Sequence, residues 1–262
     1  MGTWFAGYRL LTTGSFNATM LVMSLFGGAV LGLFLAWLVP KLGLDRIHLF
    51  GVMWFSLFIV GYFSNMIEGY FFTSVFPSFG TFLTGLGVTL VVPCLQVGAT
   101  ALLIQSGEGS LARELTGYFA ERGGRSWVIR IAAASLVYFP IYFFFGMLVS
   151  PFIMPYYSDP SLGLFVPPLT TIIPLEFSRG FLYVASLLPL VAALKPDSGT
   201  VFLVISGMLY IPGAFIPLIV ETSLPAPIIP FHLVEILADS MVYGYVLTRI
   251  LGRPSGTRGA GP

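Results

Sequence analysis

His232, Glu235 and Asp239 fall within eight residues of one another in the stretch "PFHLVEILADSMVYGY". At roughly 100° per residue, their side chains lie within about 60° of each other on a helix. The stretch is otherwise apolar and reads as a membrane span. A charge at the centre of such a helix costs at least about 2.5–3.5 kcal/mol, so this stripe needs partners. Two other segments offer them. Asn65 and Glu68 share a face in "SNMIEGY", and Glu176 and Arg179 lie one turn apart in "PLEFSRG". Four carboxylates (Glu68, Glu176, Glu235, Asp239) against Arg179 and His232 give a net charge of about −2 to −3 when all acids are ionised. A buried site does not hold that charge unaided; it takes up protons or a cation.

Three chemistries fit these residue types. The first is cation- or proton-coupled transport, or small-molecule binding, through Asn65, Glu68, Glu176, Arg179, His232, Glu235 and Asp239. Pro174, Pro212, Pro217 and Pro230 fall in the same halves of their helices, where freed backbone carbonyls can face a ligand. The second is a metal-dependent, membrane-embedded hydrolase acting on a lipid or a peptide. His232 and Glu235, with Glu68 from another helix, are candidate ligands for a single divalent metal. The chain has only two histidines and one His-x-x-Glu, which argues against a di-iron centre and against a bis-His haem. The intramembrane CAAX-protease and bacteriocin-processing family places paired Glu before its Arg and adds two His motifs. "LEFSRG" has one Glu and the second His motif is missing, so no activity carries over from that family. The third is a structural or accessory subunit whose polar stripes lock the bundle or bind other membrane subunits.

Such residues need helices to hold them. The chain is 56% hydrophobic and 9% charged, against about 25% charged in a soluble domain. The expectation is an all-α integral membrane protein. Seven spans read at about 17–40, 47–75, 79–105, 127–152, 168–194, 200–220 and 228–250, each near the roughly 20 residues a bilayer requires. They form one polytopic domain over 1–252, followed by a Gly/Pro-rich tail, 253–262, expected to be disordered. With seven spans, Lys41, Arg46, Arg113, Arg122, Arg125, Lys195, Arg249, Arg253 and Arg258 fall on one side and Arg9 alone on the other. That bias predicts an outside N-terminus, a cytoplasmic C-terminus and a multi-pass protein of the plasma membrane.

With about 1.5 Å of rise per residue, this orientation brings all three polar stripes into the outer half of the bilayer, with Asp239 nearest the midplane. Spans two, five and seven are therefore expected to be neighbours. "SLARELTGYFAERGG" has an apolar face of Leu111, Leu115, Tyr118 and Phe119 and reads as a short helix lying on the inner surface. The prolines of "SPFIMPYYSDPSLGLFVPP" argue against a regular helix there. Cys94 reads as packing, His48 lies at the wrong end to join the cluster, and Glu221 reads as solvated. "MGTWFAGYRLLTTGS" lacks the pattern of a cleavable signal peptide. A formal charge of +1 argues against a nucleic-acid partner. The expected partners are the lipid bilayer and, beyond it, further copies of the chain or other membrane subunits.

Overall fold

The computed structural model describes residues 18–104, 107–194, 197–220 and 224–253. These are helical, with no strand among the described residues and two isolated bridges, Leu44–Gly109 and Thr73–Leu164. The helices are α1 (Ala18–Leu42), α2 (Arg46–Phe72), α3 (Phe79–Leu103), α4 (Leu111–Ala120), α5 (Gly124–Tyr157), α6 (Leu169–Ala193), α7 (Ser198–Val220) and α8 (Ala226–Leu251). All except α4 are long and apolar enough to cross a membrane. Their outer faces expose large apolar residues such as Leu33, Leu102, Leu103 and Phe144.

Most of these bounds lie within a few residues of the expected spans. The exception is α5, which runs through Pro151 and Pro155 to Tyr157, where the prolines argued against a helix. Pro151 brings no N–H to the carbonyl of Met147. The hydroxyl of Ser150 donates to that carbonyl instead, at 2.9 Å, so the break leaves less unsatisfied backbone. Two helices contain a wide π-turn, Phe58–Phe63 in α2 and Ile211–Phe215 in α7. Pro212 lies in the second, where a local widening absorbs the proline.

Helices α2, α6, α5, α8 and α7 pack in that order, and α7 returns to α2, closing a ring of five. Helix α1 sits outside the ring against α7, and α3 against α2. The expected direct contact of spans two, five and seven is thus only partly realised. Helices α2 and α6 touch, while α5 stands between α6 and α8, and α7 between α8 and α2. Two glycines set these approaches. A Cβ on Gly180 would lie 2.2 Å from the backbone oxygen of Ser135, and one on Gly244 would lie 2.1 Å from Ser206 Oγ. Backbone excludes a side chain at Gly180, and at Gly244 one enters only if the Ser206 hydroxyl turns away, which is how small residues bring membrane helices together.

The described lysines and arginines, Arg179 excepted, gather at one end of the bundle. This end is closed by α4. The Tyr118 hydroxyl donates to the carbonyl of Leu251 at 2.5 Å, Arg122 to that of Gly252 at 2.6 Å, and Arg130 to that of Ile250. Leu111 and Leu115 pack on the core beside Tyr118. The apolar face of α4 therefore meets the end of the bundle, a correction to the helix expected to lie flat on a membrane surface. Arg253, expected in a disordered tail, donates to the carbonyl of Ala192 and pairs with Glu121 at 2.9 Å. At the same end Asp45 caps α2, accepting from the N–H groups of Ile47 and His48. The His48 N–H, with its ring, holds the Asp45 carboxyl below the usual carboxylate range. Arg9, Lys195, Glu221 and Arg258 lie outside the described residues. At the opposite end, Ser74 N–H donates to the carbonyl of Gly163 and Phe165 N–H to that of Phe72, which binds the α5–α6 connection to the end of α2.

Candidate functional site

Glu176, Arg179 and Tyr183 stand at i, i+3 and i+7 on α6 and so share one face. Beside them, Gly180 lets α5 approach until Tyr138 lies against Arg179. The guanidinium then collects partners. Its Nη1 donates to Glu68 Oε1 on α2 at 2.7 Å and to Glu176 Oε2 at 2.8 Å. Its Nη2 donates to the Tyr183 hydroxyl at 2.9 Å. The rings of Tyr138, Tyr142 and Tyr183 each lie 5.7 Å from the guanidinium carbon, within cation–π range. Arg179 and Glu176 are both buried. Two carboxylates and three aromatic rings offset the cost of that burial.

On α8, His232, Glu235, Asp239 and Tyr243 form a second stripe. Glu235 Oε2 lies 2.9 Å from His232 Nδ1, and the ring of His232 stands edge-on to Tyr157 of α5. Glu235 Oε1 lies against Gly146, where an added Cβ would come within 3.4 Å. Asp239 has 6% of its surface exposed, and its hydrogen bond is a long one, 3.3 Å from its own neighbour Ser240. Among the described residues no lysine, arginine or histidine lies within ion-pair distance of it. The outer face of α8, by contrast, carries Val234, Leu237, Met241 and Val242. The polar stripe thus points inward and the apolar one outward.

Between the two stripes lies a cavity of about 310 Å³. Its wall includes Glu68, Arg179, His232, Glu235 and Asp239, the five tyrosines 138, 142, 157, 183 and 243, and apolar residues from all five ring helices. Glu176 stands behind Arg179 and is fully buried. The ring places this cavity towards the end opposite the basic one, since its wall is drawn from the C-terminal parts of α2, α5 and α7 and the N-terminal parts of α6 and α8.

Six of the seven residues read from the sequence thus line one space, with Glu176 behind Arg179, and the charged ones fall into two groups with different fates. Glu68 and Glu176 pair with Arg179, whose Nε–H alone is left buried without a partner. His232, Glu235 and Asp239 do not reach that arginine. Asn65 acts on the backbone: its amide donates to the carbonyls of Gly61 (3.1 Å) and Gly213 (2.8 Å). It thereby pins the π-turn of α2 to that of α7, satisfying carbonyls in the widened turns. The metal candidates His232, Glu235 and Glu68 are not gathered as a ligand set, because Glu68 is held by Arg179 across the cavity. Among the described residues no three of His, Cys, Asp and Glu converge to hold a metal ion. Ser178 faces outward, while Ser240 sits on Asp239.

The charges alone did not point to α5, which lends the cavity Tyr138, Tyr142, Gly146 and Tyr157 without a single carboxylate. A signal was present: Tyr183 and Tyr243 each follow a buried charge by four residues, on the same helical face, and Tyr138 and Tyr142 repeat that spacing.

Comparison with protein-family models, with curated proteins and with solved structures yields no match to this chain.

Proposed function

We propose that the chain is a multi-pass protein of the plasma membrane, N-terminus outside, whose outer-half cavity binds a cation or proton in the course of coupled transport or small-molecule binding. Three features support the membrane setting: seven apolar helices of spanning length, large apolar side chains on their outer faces, and basic residues concentrated at one end, as the inner side of a membrane protein requires. The bilayer is then the principal partner, and further copies of the chain are the next candidates.

The observation that carries the functional reading is Asp239. It is a buried carboxylate on the wall of a 310 Å³ cavity, with no cation beside it among the described residues. An ionisable group at membrane depth marks an ion or substrate pathway unless its partner is at hand. Arg179, the one cation in the cavity wall of certain charge, is already engaged by Glu68 and Glu176. The hydrolase reading lacks a gathered ligand set. The accessory-subunit reading accounts for the Arg179 cluster as interhelical glue, but gives Asp239 no role.

The test is reconstitution in liposomes, with proton and alkali-cation uptake measured for the wild type and for Asp239→Asn. Gradient-driven uptake by the wild type that Asp239→Asn abolishes, at unchanged melting temperature, supports the reading. Uptake that is equal in both proteins, or a wild type that shows neither uptake nor cation binding, overturns it.

A further inference from the structure

We infer that the cavity selects an organic cation, a protonated or quaternary amine, over anions, zwitterions and bare metal ions. This deepens the proposed function and rests on it.

Charge comes first. Three carboxylates, Glu68, Glu235 and Asp239, line the space, with Glu176 behind them, against Arg179 and a His232 that is already joined to Glu235. A zwitterion or an anion needs a cation free to receive its carboxylate. Arg179 is largely committed: its Nη1 is shared between Glu68 and Glu176 and its Nη2 donates to Tyr183, while its Nε–H is buried without a partner. Glu68 and Glu176 already outweigh the charge of Arg179, so among the described residues the cavity offers a ligand a net negative charge.

Shape and wall chemistry then separate an organic cation from a metal ion. A bare metal ion held by the protein's own side chains is favoured by several converging ligands at about 2.0–2.6 Å. No three candidate ligands converge among the described residues. The volume, about 310 Å³, lies instead at the lower end of small-molecule sites, roughly 300–1,000 Å³. Five tyrosines contribute to its wall, and aromatic faces attract ammonium groups within about 6 Å of the ring. Three of these rings already take a guanidinium at 5.7 Å, so this wall tolerates a buried cation. Tyr243 stands one turn from Asp239 on the same face. Ile153, Ile172, Leu209 and Leu218 supply apolar wall for carbon substituents. A buried acid without a counter-cation, aromatic faces and an apolar remainder are together what a small alkylammonium requires.

The ammonium is placed against Asp239, with Glu235 as the second acid on the same stripe. Glu235 and His232 stand one and two turns closer to the N-terminal end of α8, so an entering cation meets them first.

The experiment is titration calorimetry on the purified full chain, with butylammonium, tetraethylammonium, 1-butanol, butyrate, 4-aminobutyrate and sodium as probes. The two organic cations are expected to bind at least about tenfold more tightly than the neutral, anionic and zwitterionic probes, a difference of about 1.4 kcal/mol. Asp239→Asn is expected to remove at least about tenfold of that affinity, Tyr243→Leu to weaken it, and Tyr243→Phe to retain it. The probe comparison on wild-type protein does not depend on any variant folding. Equal binding of butylammonium and 1-butanol, tighter binding of butyrate, or affinity untouched by Asp239→Asn overturns the inference. Proton or sodium uptake in liposomes without binding of either ammonium probe removes this inference and leaves the proposed function standing. Neither uptake nor binding removes both.

Discussion

Arg179 and Glu68, 111 positions apart in the chain, meet at 2.7 Å. That contact joins α2 to α6 and decides the character of the whole cavity. Because the same guanidinium also holds Glu176, one cation is shared between two acids from different helices. The remaining acids, Glu235 and Asp239, are left on the opposite wall without it. The site is thus an ion pair that is complete beside a pair of acids that is not.

Arg179→Gln should strand Glu68 in the cavity wall and Glu176 behind it. Removing one partner of a buried pair costs about 3–5 kcal/mol, so the melting temperature in detergent should drop sharply. Arg179→Gln combined with Glu176→Gln should recover much of the loss. Asp239→Asn should leave the melting temperature unchanged or raise it, because it removes a charge that has no counter-ion and relieves like-charge repulsion from Glu235. A large destabilisation by Asp239→Asn would mean that this acid has a structural partner.

Asn65→Leu removes both donors that pin the two π-turns together. At about 0.5–1.5 kcal/mol net for each hydrogen bond, the loss should be about 1–3 kcal/mol. Amide exchange should quicken around residues 58–65 and 211–217 and change little in α3. Asn65→Asp keeps the size but loses the donors, so it should not rescue.

Gly180→Ala places a methyl 2.2 Å from a backbone oxygen of α5. Helices α5 and α6 must then part, at a cost of about 1–3 kcal/mol, and Tyr138 should move away from Arg179. Gly117→Ala in α4 meets nothing within 4 Å and should gain up to about 0.5–1 kcal/mol of helix stability. Opposite signs for these two glycines in one thermal series would check the packing of the ring.

Orientation is open to direct labelling. In a Cys94→Ala background, Gly117→Cys on exposed α4 should react with an impermeant maleimide only after cells are permeabilised. Labelling in intact cells would reverse the topology and turn the cavity inward.

The seven helices were legible because apolar run length reports a span directly, and the polar stripes because residues three and four apart share a helical face. Asn65 and Glu68 kept their common face because both follow the π-turn of α2. The order of the ring was not legible. It depends on the close approaches at Gly180 and Gly244, and on where a wide turn shifts the helical phase. Hydropathy is blind to both. The place of α5 in the cavity escaped for a related reason: its contribution is tyrosine and glycine, and only the charges of other helices give those residues a purpose. The helix through Pro151 was hidden because the rescuing donor, Ser150, is a single hydroxyl in an apolar run.

Cations, and not anions, are expected to reach Asp239 from the outer side. Reactivity of a thiol beside it tests this most directly. In a Cys94→Ala background, Ser240→Cys places that thiol on the cavity wall next to Asp239. Rates of modification by a cationic and an anionic methanethiosulfonate of similar size, added outside to intact cells, should differ by at least about tenfold in favour of the cation, as field focusing in a charged cleft predicts, and excess butylammonium should slow the reaction. Equal rates for the two reagents, a faster anionic reagent, or reaction only from the cytoplasmic side would contradict the account.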